Sequence, residues 1–174
     1  MEVSQAIRNR RSIRSYNAKP VEDEKIERML EAGRWAPSAG NQQSIEYVVV
    51  KDPKTRKQLS GAALGQEQLL EAPVSIVVCC NPSKISHYGQ RGRELYSLQE
   101  SGACVQNMML EAHALGLGTC WIGAFNEAEV RRVIGAPQDV KPVAIITVGY
   151  AAEKPASSRK DAKHSVFCES YGKR

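Results

Sequence analysis

Along this chain, stretches in which apolar residues recur every three or four positions alternate with stretches in which they run together. The first pattern predicts helices and the second strands. Val3, Ala6 and Ile7 mark a short amphipathic helix over residues 2–9. Ile26, Met29, Leu30 and Gly33 share one face of a helix over 21–34, with Glu24, Lys25, Glu27, Arg28 and Glu31 opposite. Ala36-Pro37 stops it. The β-branched Val48-Val49-Val50 puts a strand over 45–51. Asp52-Pro53 opens a helix to Ala63, and residues 66–71 form a short helical piece ended by Ala72-Pro73. Val74–Cys80 is apolar throughout, the mark of a strand covered on both faces. Residues 94–115 make the longest helix, with Leu98, Val105, Met108, Met109, Ala112 and Leu115 at helical spacing. Being apolar on more than one side, it should be the central packing element. Asn126 caps a helix to Ile134, with Glu127 and Glu129 in its first turn, and 142–150 is a strand. Few strands interspersed with helices predict an α+β fold, a three-layer α/β/α sandwich with a small sheet between helices. One domain accounts for residues 1–174, with no internal repeats.

The connecting stretches carry the candidate chemistry. Arg10-Arg11-Ser12-Ile13-Arg14-Ser15-Tyr16 puts three arginines and two serine hydroxyls where the first helix gives way to a loop. Arginine offers a fixed fork of donors that suits a phosphate, although a solvated basic turn has the same composition. Pro37-Ser38-Ala39-Gly40-Asn41-Gln42-Gln43 is too small and polar to pack a core. It is either a plain loop or a source of backbone N–H groups and amides for a ligand. Residues 81–93 are polar, with Gly89 and Gly92, and read as a surface loop or broken helix that could act as a lid. In Gly116-Leu117-Gly118, Gly116 stands where a helix C′ residue belongs. The Gly-x-Gly is not a dinucleotide fingerprint: no strand precedes it and no acidic residue follows where a ribose needs one.

Charge refines the picture. The net charge of +5 is divided unevenly. Residues 1–20 carry five basic and one acidic side chain, residues 151–174 six and three, and the middle thirteen and fifteen. A nucleic-acid binder could look like this, but no basic helix or aromatic-studded strand accompanies the charge. The alternative is that both ends converge on one anion. The five cysteines (Cys79, Cys80, Cys104, Cys120, Cys168) are odd in number and form no Cys-x-x-Cys, so they read as reduced, mostly buried thiols. His87, His113 and His164 give no metal spacing. No apolar run approaches the roughly 18 to 20 residues of a membrane span, and no signal segment opens the chain, so the expected setting is the cytoplasm.

Taken together, the arginine stretch, 36–43, Leu117-Gly118-Thr119-Cys120-Trp121-Ile122-Gly123-Ala124-Phe125 and Arg159-Lys160 resemble the nitroreductase family of FMN-dependent oxidoreductases. The resemblance covers nearly the whole chain. It implies a small, mostly antiparallel sheet around one long helix, in an intertwined homodimer with flavin at the interface. The tail, 151–174, would dock on the partner subunit. Arg10, Arg11, Ser12 and Arg14 would hold the flavin phosphate, ribityl chain and pyrimidine edge, with Arg159 and Lys160 completing the phosphate pocket. Pro37, Ser38, Ala39 and Asn41 would come from the other subunit. The Trp121-Ile122-Gly123 backbone would run along the flavin, with the Gly123 N–H reaching N5; Gln66 and Gln68 would lie near it. The implied activity is hydride transfer from NAD(P)H through FMN to a small nitroaromatic, quinone, enone or flavin, by ping-pong exchange and without a nucleic-acid or membrane partner. A flavin-binding storage or redox-sensing protein is the alternative, kept open by Cys120. The chain is short for the family and lacks the insertion that longer members place over the ring. His87, Tyr88 and Arg91 are therefore candidate substrate contacts, or else parts of a solvated loop.

Overall fold

The structure is a computed structural model that describes residues 1–161 and 165–173; expectations that rest on Ala162, Lys163, His164 or Arg174 lie outside the described residues. Among the described residues, β1 (Ile45–Val50), β2 (Val74–Cys80), β3 (Gly118–Ile122) and β4 (Lys141–Gly149) form an antiparallel sheet in the order β1-β2-β4-β3.

Side chains alternate across this sheet, and both faces are covered. Ile76 and Val78 of β2 and Ala144, Ile146 and Val148 of β4 face one helical layer. There α2 (Asp23–Arg34) brings Ile26 and Met29, and α6 (Ser97–Ala114) brings Val105, Met108, Met109 and Ala112. Val77, Cys79, Ile145 and Ile122 face the other layer. It is built from α3 (Pro53–Ala62), α4 (Gln68–Glu71) and α7 (Glu127–Val133), which bring Leu59, Leu69 and Val130. That is the expected three-layer sandwich, and β2 is buried along its whole length as its unbroken apolar run requires. Asp52 caps α3 by accepting from the Thr55 N–H at 2.8 Å, and Asn126 caps α7 by accepting from the Glu129 N–H at 3.1 Å.

Four local features qualify the sequence pattern. Leu98 is exposed, because Ser97, Glu100, Ser101 and Cys104 take the inward positions on the first turns of α6. Glu100 is buried there and accepts from the Ser44 hydroxyl at 2.7 Å. Of the two readings of the segment after β2, the broken helix holds: a 3-10 stretch (Pro82–Tyr88), one helical turn, α5 (Gly89–Arg91), and a π turn (Gly92–Tyr96) lead into α6. On α1 (Val3–Asn9), Ala6 is buried but Val3 and Ile7 are exposed, so its apolar face is not covered by the chain itself. Strand β3 carries no readable periodicity, since Gly118, Thr119 and Cys120 are small and Trp121 is its only large exposed side chain.

Candidate functional site

The arginine stretch is held largely by its backbone, although Arg11 Nη1 also donates to the Arg8 carbonyl at 2.6 Å and to the Arg10 carbonyl at 2.9 Å. After α1 ends, Ser12 pairs with Thr119 in a parallel bridge along the outer edge of β3. The Ile13 N–H donates to the Thr119 carbonyl at 2.9 Å, and Tyr16 then pairs with Ala151 beyond the end of β4. The strand can lie this close because Gly118 and Gly149 face each other across β3 and β4. A Cβ on Gly118 would meet Ile13 Cγ1 at 2.8 Å, and one on Gly149 would meet Tyr16 Cδ1 and Pro73 Cδ at 2.7 Å. Two carboxylates from distant segments fix it further. Glu153 Oε1 accepts from the backbone N–H groups of Arg14 and Ser15, and Glu71 Oε2 from that of Tyr16 at 3.1 Å. The buried Tyr16 hydroxyl donates to the Ile13 carbonyl at 2.6 Å.

Arg10, Arg11, Ser12 and Arg14 then line a cleft of about 210 Å³ together with Pro155, Ala156, Ser157 and Arg159. The two basic ends of the chain meet there. Lys160 is exposed and does not line it. A second cleft of about 520 Å³ shares Arg10 and Arg11 and adds His113, Glu153 and Lys154. Burial, then the charges of Arg159 and Arg11, hold the Arg10 guanidinium below its ordinary pKa. Burial, then the charges of Arg10 and Arg11, depress His113. Arg10 Nη1 is buried with no hydrogen-bond partner among the described residues. Gathering like charges and leaving a buried donor unpaired both cost stability, and an anion offsets both. The donor set suits a phosphate monoester: forked guanidinium groups, a serine hydroxyl, and an Arg159 oriented by donating to Ser157 Oγ at 2.7 Å.

Beyond this cleft, β3 runs toward Gly123. Because the Thr119 carbonyl bonds outward to Ile13, strand alternation also turns the backbone groups of Trp121 to the outer edge. The Trp121 side chain is 40% exposed, whereas that of Ile122 is buried in the core and its backbone groups turn toward Ile145 of β4. A Cβ on Gly123 would meet no atom within 4 Å, and its φ is not in the left-handed region. Neither packing nor backbone conformation requires glycine there. Gln66 Nε2 donates to the Ala124 carbonyl at 2.9 Å, and Gln68 Nε2 to Gln66 Oε1 at 2.9 Å. The two glutamines thus tether the residue after Gly123.

The other predicted contacts lie elsewhere in the protomer. Pro37, Ser38, Ala39 and Asn41 precede β1, the opposite edge strand, three strand spacings or about 14 Å from β3. The loop is tightly wound: Gly40, Asn41 and Gln43 all have positive φ, and Ser38 Oγ accepts from the Gln43 N–H at 3.2 Å. Tyr88 stands against it, its hydroxyl in the space that a Gly40 Cβ would need. Tyr88 also meets His87 and Tyr96 edge-on, and Arg91 Nε donates to the Tyr96 hydroxyl at 3.0 Å. His87, Tyr88 and Arg91 therefore gather with residues 37–41 and not with the arginines. Glu71, His113, Gly118 and Glu153 were not legible as site residues. Glu153, four residues past β4 and six before Arg159, gave the one available signal, an acid inside a basic tail.

The nitroreductase family model matches residues 7–69 and 61–150. An FMN reductase [NAD(P)H] of Bacillus subtilis (strain 168) is 30% identical over 179 residues, covering 95% of this chain and 72% of that protein. A Desulfovibrio desulfuricans structure described as a nitroreductase in complex with FMN superimposes with a TM-score of 0.89 at 34% identity, covering 98% of both chains. Nitroreductase A from Vibrio parahaemolyticus superimposes with a TM-score of 0.89 at 28% identity, covering 98% of this chain and 77% of that one.

Proposed function

The chain belongs to the nitroreductase family, and on that footing we propose that it is an NAD(P)H-dependent oxidoreductase whose FMN phosphate lies among Arg10, Ser12, Arg14 and Arg159. The observation that carries this reading is the meeting of the two basic ends of the chain, Arg159 beside Arg10 and Arg11, around a buried donor that lacks a partner. When bound, FMN supplies hydride chemistry between NAD(P)H and a small oxidised acceptor such as a nitroaromatic, quinone, enone or free flavin. The chain contributes binding and orientation. Arg10, Arg11, Ser12, Arg14 and Arg159 neutralise and orient the phosphate end, and Lys160 raises the local potential. The outward backbone of Trp121 offers polar groups, Gly123 next to it adds a backbone with no side chain in the way, and Gln66 with Gln68 keeps that segment still. Reductant and acceptor use the same open slot in turn, so no acid–base pair is needed.

The site is shared between two copies. Pro37, Ser38, Ala39 and Asn41 lie too far from Gly123 to complete it within one protomer, and His87, Tyr88 and Arg91 would accompany them on the acceptor side. In this reading 1–174 is one domain, with 151–174 laid against the partner. The cytoplasm is its setting, which five free cysteines support. A redox-sensing role draws less support, since burial raises the Cys120 thiol above its ordinary pKa and away from the reactive thiolate.

The purified protein is expected to be yellow and to release FMN, identified by mass spectrometry. FAD as the main species overturns the reading. Bleaching of the bound flavin by NADH or NADPH within seconds separates an oxidoreductase from a storage protein.

A further inference from the structure

Among the described residues lining the two arginine clefts, Glu153 is the only carboxylate. An acid so placed should repel an anion. Its hydrogen bonds account for its presence: Oε1 takes two successive backbone donors, the N–H groups of Arg14 and Ser15. The segment around it is laced to the same stretch. The Ala152 N–H donates to the Ser15 carbonyl at 3.0 Å, and Asn17 Nδ2 to the Ala151 carbonyl at 2.9 Å. Six residues further on, the same segment delivers Arg159 to the cleft.

We propose that Glu153 is a positioning residue for the cofactor phosphate: it locks the arginine stretch to the start of the tail, so that ordering of 151–159 and phosphate binding are one coupled event. The inference rests on the reading that the cleft takes FMN. Each donor to a carboxylate is charge-assisted, so the pair fixes the direction in which Arg14 leaves the backbone. Its negative charge also offsets part of the repulsion among Arg10, Arg11, Arg14 and Arg159 until the phosphate arrives. Glu153 acts through the backbone of the stretch, leaving the ring-binding segment at Gly123 untouched. Its removal should therefore weaken the hold on the phosphate and spare the hold on the ring.

The experiment compares FMN with riboflavin, which lacks the phosphate, as ligands of the apoprotein. Wild type should prefer FMN; an equal affinity for both sinks the cleft assignment itself. Given that preference, Glu153→Ala should lower FMN affinity about tenfold with riboflavin affinity within twofold of wild type. Glu153→Gln, which keeps a carbonyl acceptor for both N–H groups, should retain most of the preference. A Glu153→Ala protein that still prefers FMN to within twofold of wild type overturns the inference. Should the alanine variant fail to fold, amide exchange on wild type decides. FMN should slow exchange at Arg14, Ser15 and 151–159 at least tenfold and riboflavin should not, and equal protection by both ligands refutes the coupling.

Discussion

Gly123 and Arg159 are the residues whose replacement separates binding from folding. Because a Cβ at Gly123 meets no atom within 4 Å and the backbone is not left-handed, Gly123→Val should keep its far-UV circular dichroism and melting temperature. A ligand ring packed on that backbone would be displaced, at a cost of roughly 1–3 kcal/mol. The variant is expected to lose flavin or to have it reduced by NAD(P)H one to two orders of magnitude more slowly. Full occupancy with a rate within twofold of wild type would mean the ring lies elsewhere. Arg159→Ala removes a guanidinium bond to phosphate, a contact worth about 1.5–3 kcal/mol when well formed. Arg159 is solvent-exposed, so the lower end applies, and flavin affinity should fall about tenfold. Unchanged affinity by fluorescence titration would show that the tail does not reach the phosphate. At this scale the arginines were legible because guanidinium groups next to a helix end announce an anion. Glu71 and Glu153 were not, because nothing in a sequence shows which backbone N–H a carboxylate accepts from.

The elements divide the same way. Apolar periodicity was enough for α2, α6, β2 and β4, whose large side chains build the two cores. It failed for β3, which opens on the small residues Gly118, Thr119 and Cys120, where the arginine stretch lies against it. Gly118→Ala tests that reason: with Ile13 Cγ1 2.8 Å from the new methyl group, the stretch must move outward. The expected cost is about 1–3 kcal/mol of stability with weaker FMN binding, measured by thermal melting and titration. An alanine variant that melts and binds like wild type would show the pairing of Ser12 with Thr119 to be dispensable. Strand β2 carries a pH prediction. Burial pushes the Cys79 thiol up to about 12 and the Cys80 thiol up to about 11, from an ordinary 9.0. The folded state thus holds these protons more tightly than the unfolded chain. Stability should be at its plateau below about pH 9 and decline steadily as pH rises through 11 to 12. Denaturant midpoints taken across that range check it, and Cys79→Ala with Cys80→Ala should flatten the decline.

At the scale of the whole molecule, the uncovered apolar surface decides how many copies make a site. Met1, Val3, Ile7 and Trp35 are 69%, 70%, 55% and 79% exposed. Met1, Val3 and Trp35 ring a groove shared with Ala32 of α2 and Leu110 and Ala114 of α6. Contiguous patches of this kind mark association surfaces. In the tail, Tyr171 is 96% exposed and its ring lies 4.8 Å from that of Phe167, so this end of the chain also leaves an aromatic surface uncovered. The protein is therefore expected to be a dimer by light scattering. The paired substitution Val3→Asp and Ile7→Asp should break it, and because both side chains are exposed on α1 the fold should survive by circular dichroism. The monomer so produced keeps every arginine of the phosphate cleft but lacks the neighbour's 37–41 loop, which its own β1 edge holds three strand spacings from β3. It should bind FMN at least tenfold more weakly, with the bound ring more open to solvent quenching. A stable monomer with wild-type flavin affinity would establish that one chain completes its own site, and would remove the reason for placing His87, Tyr88 and Arg91 beside a partner's flavin.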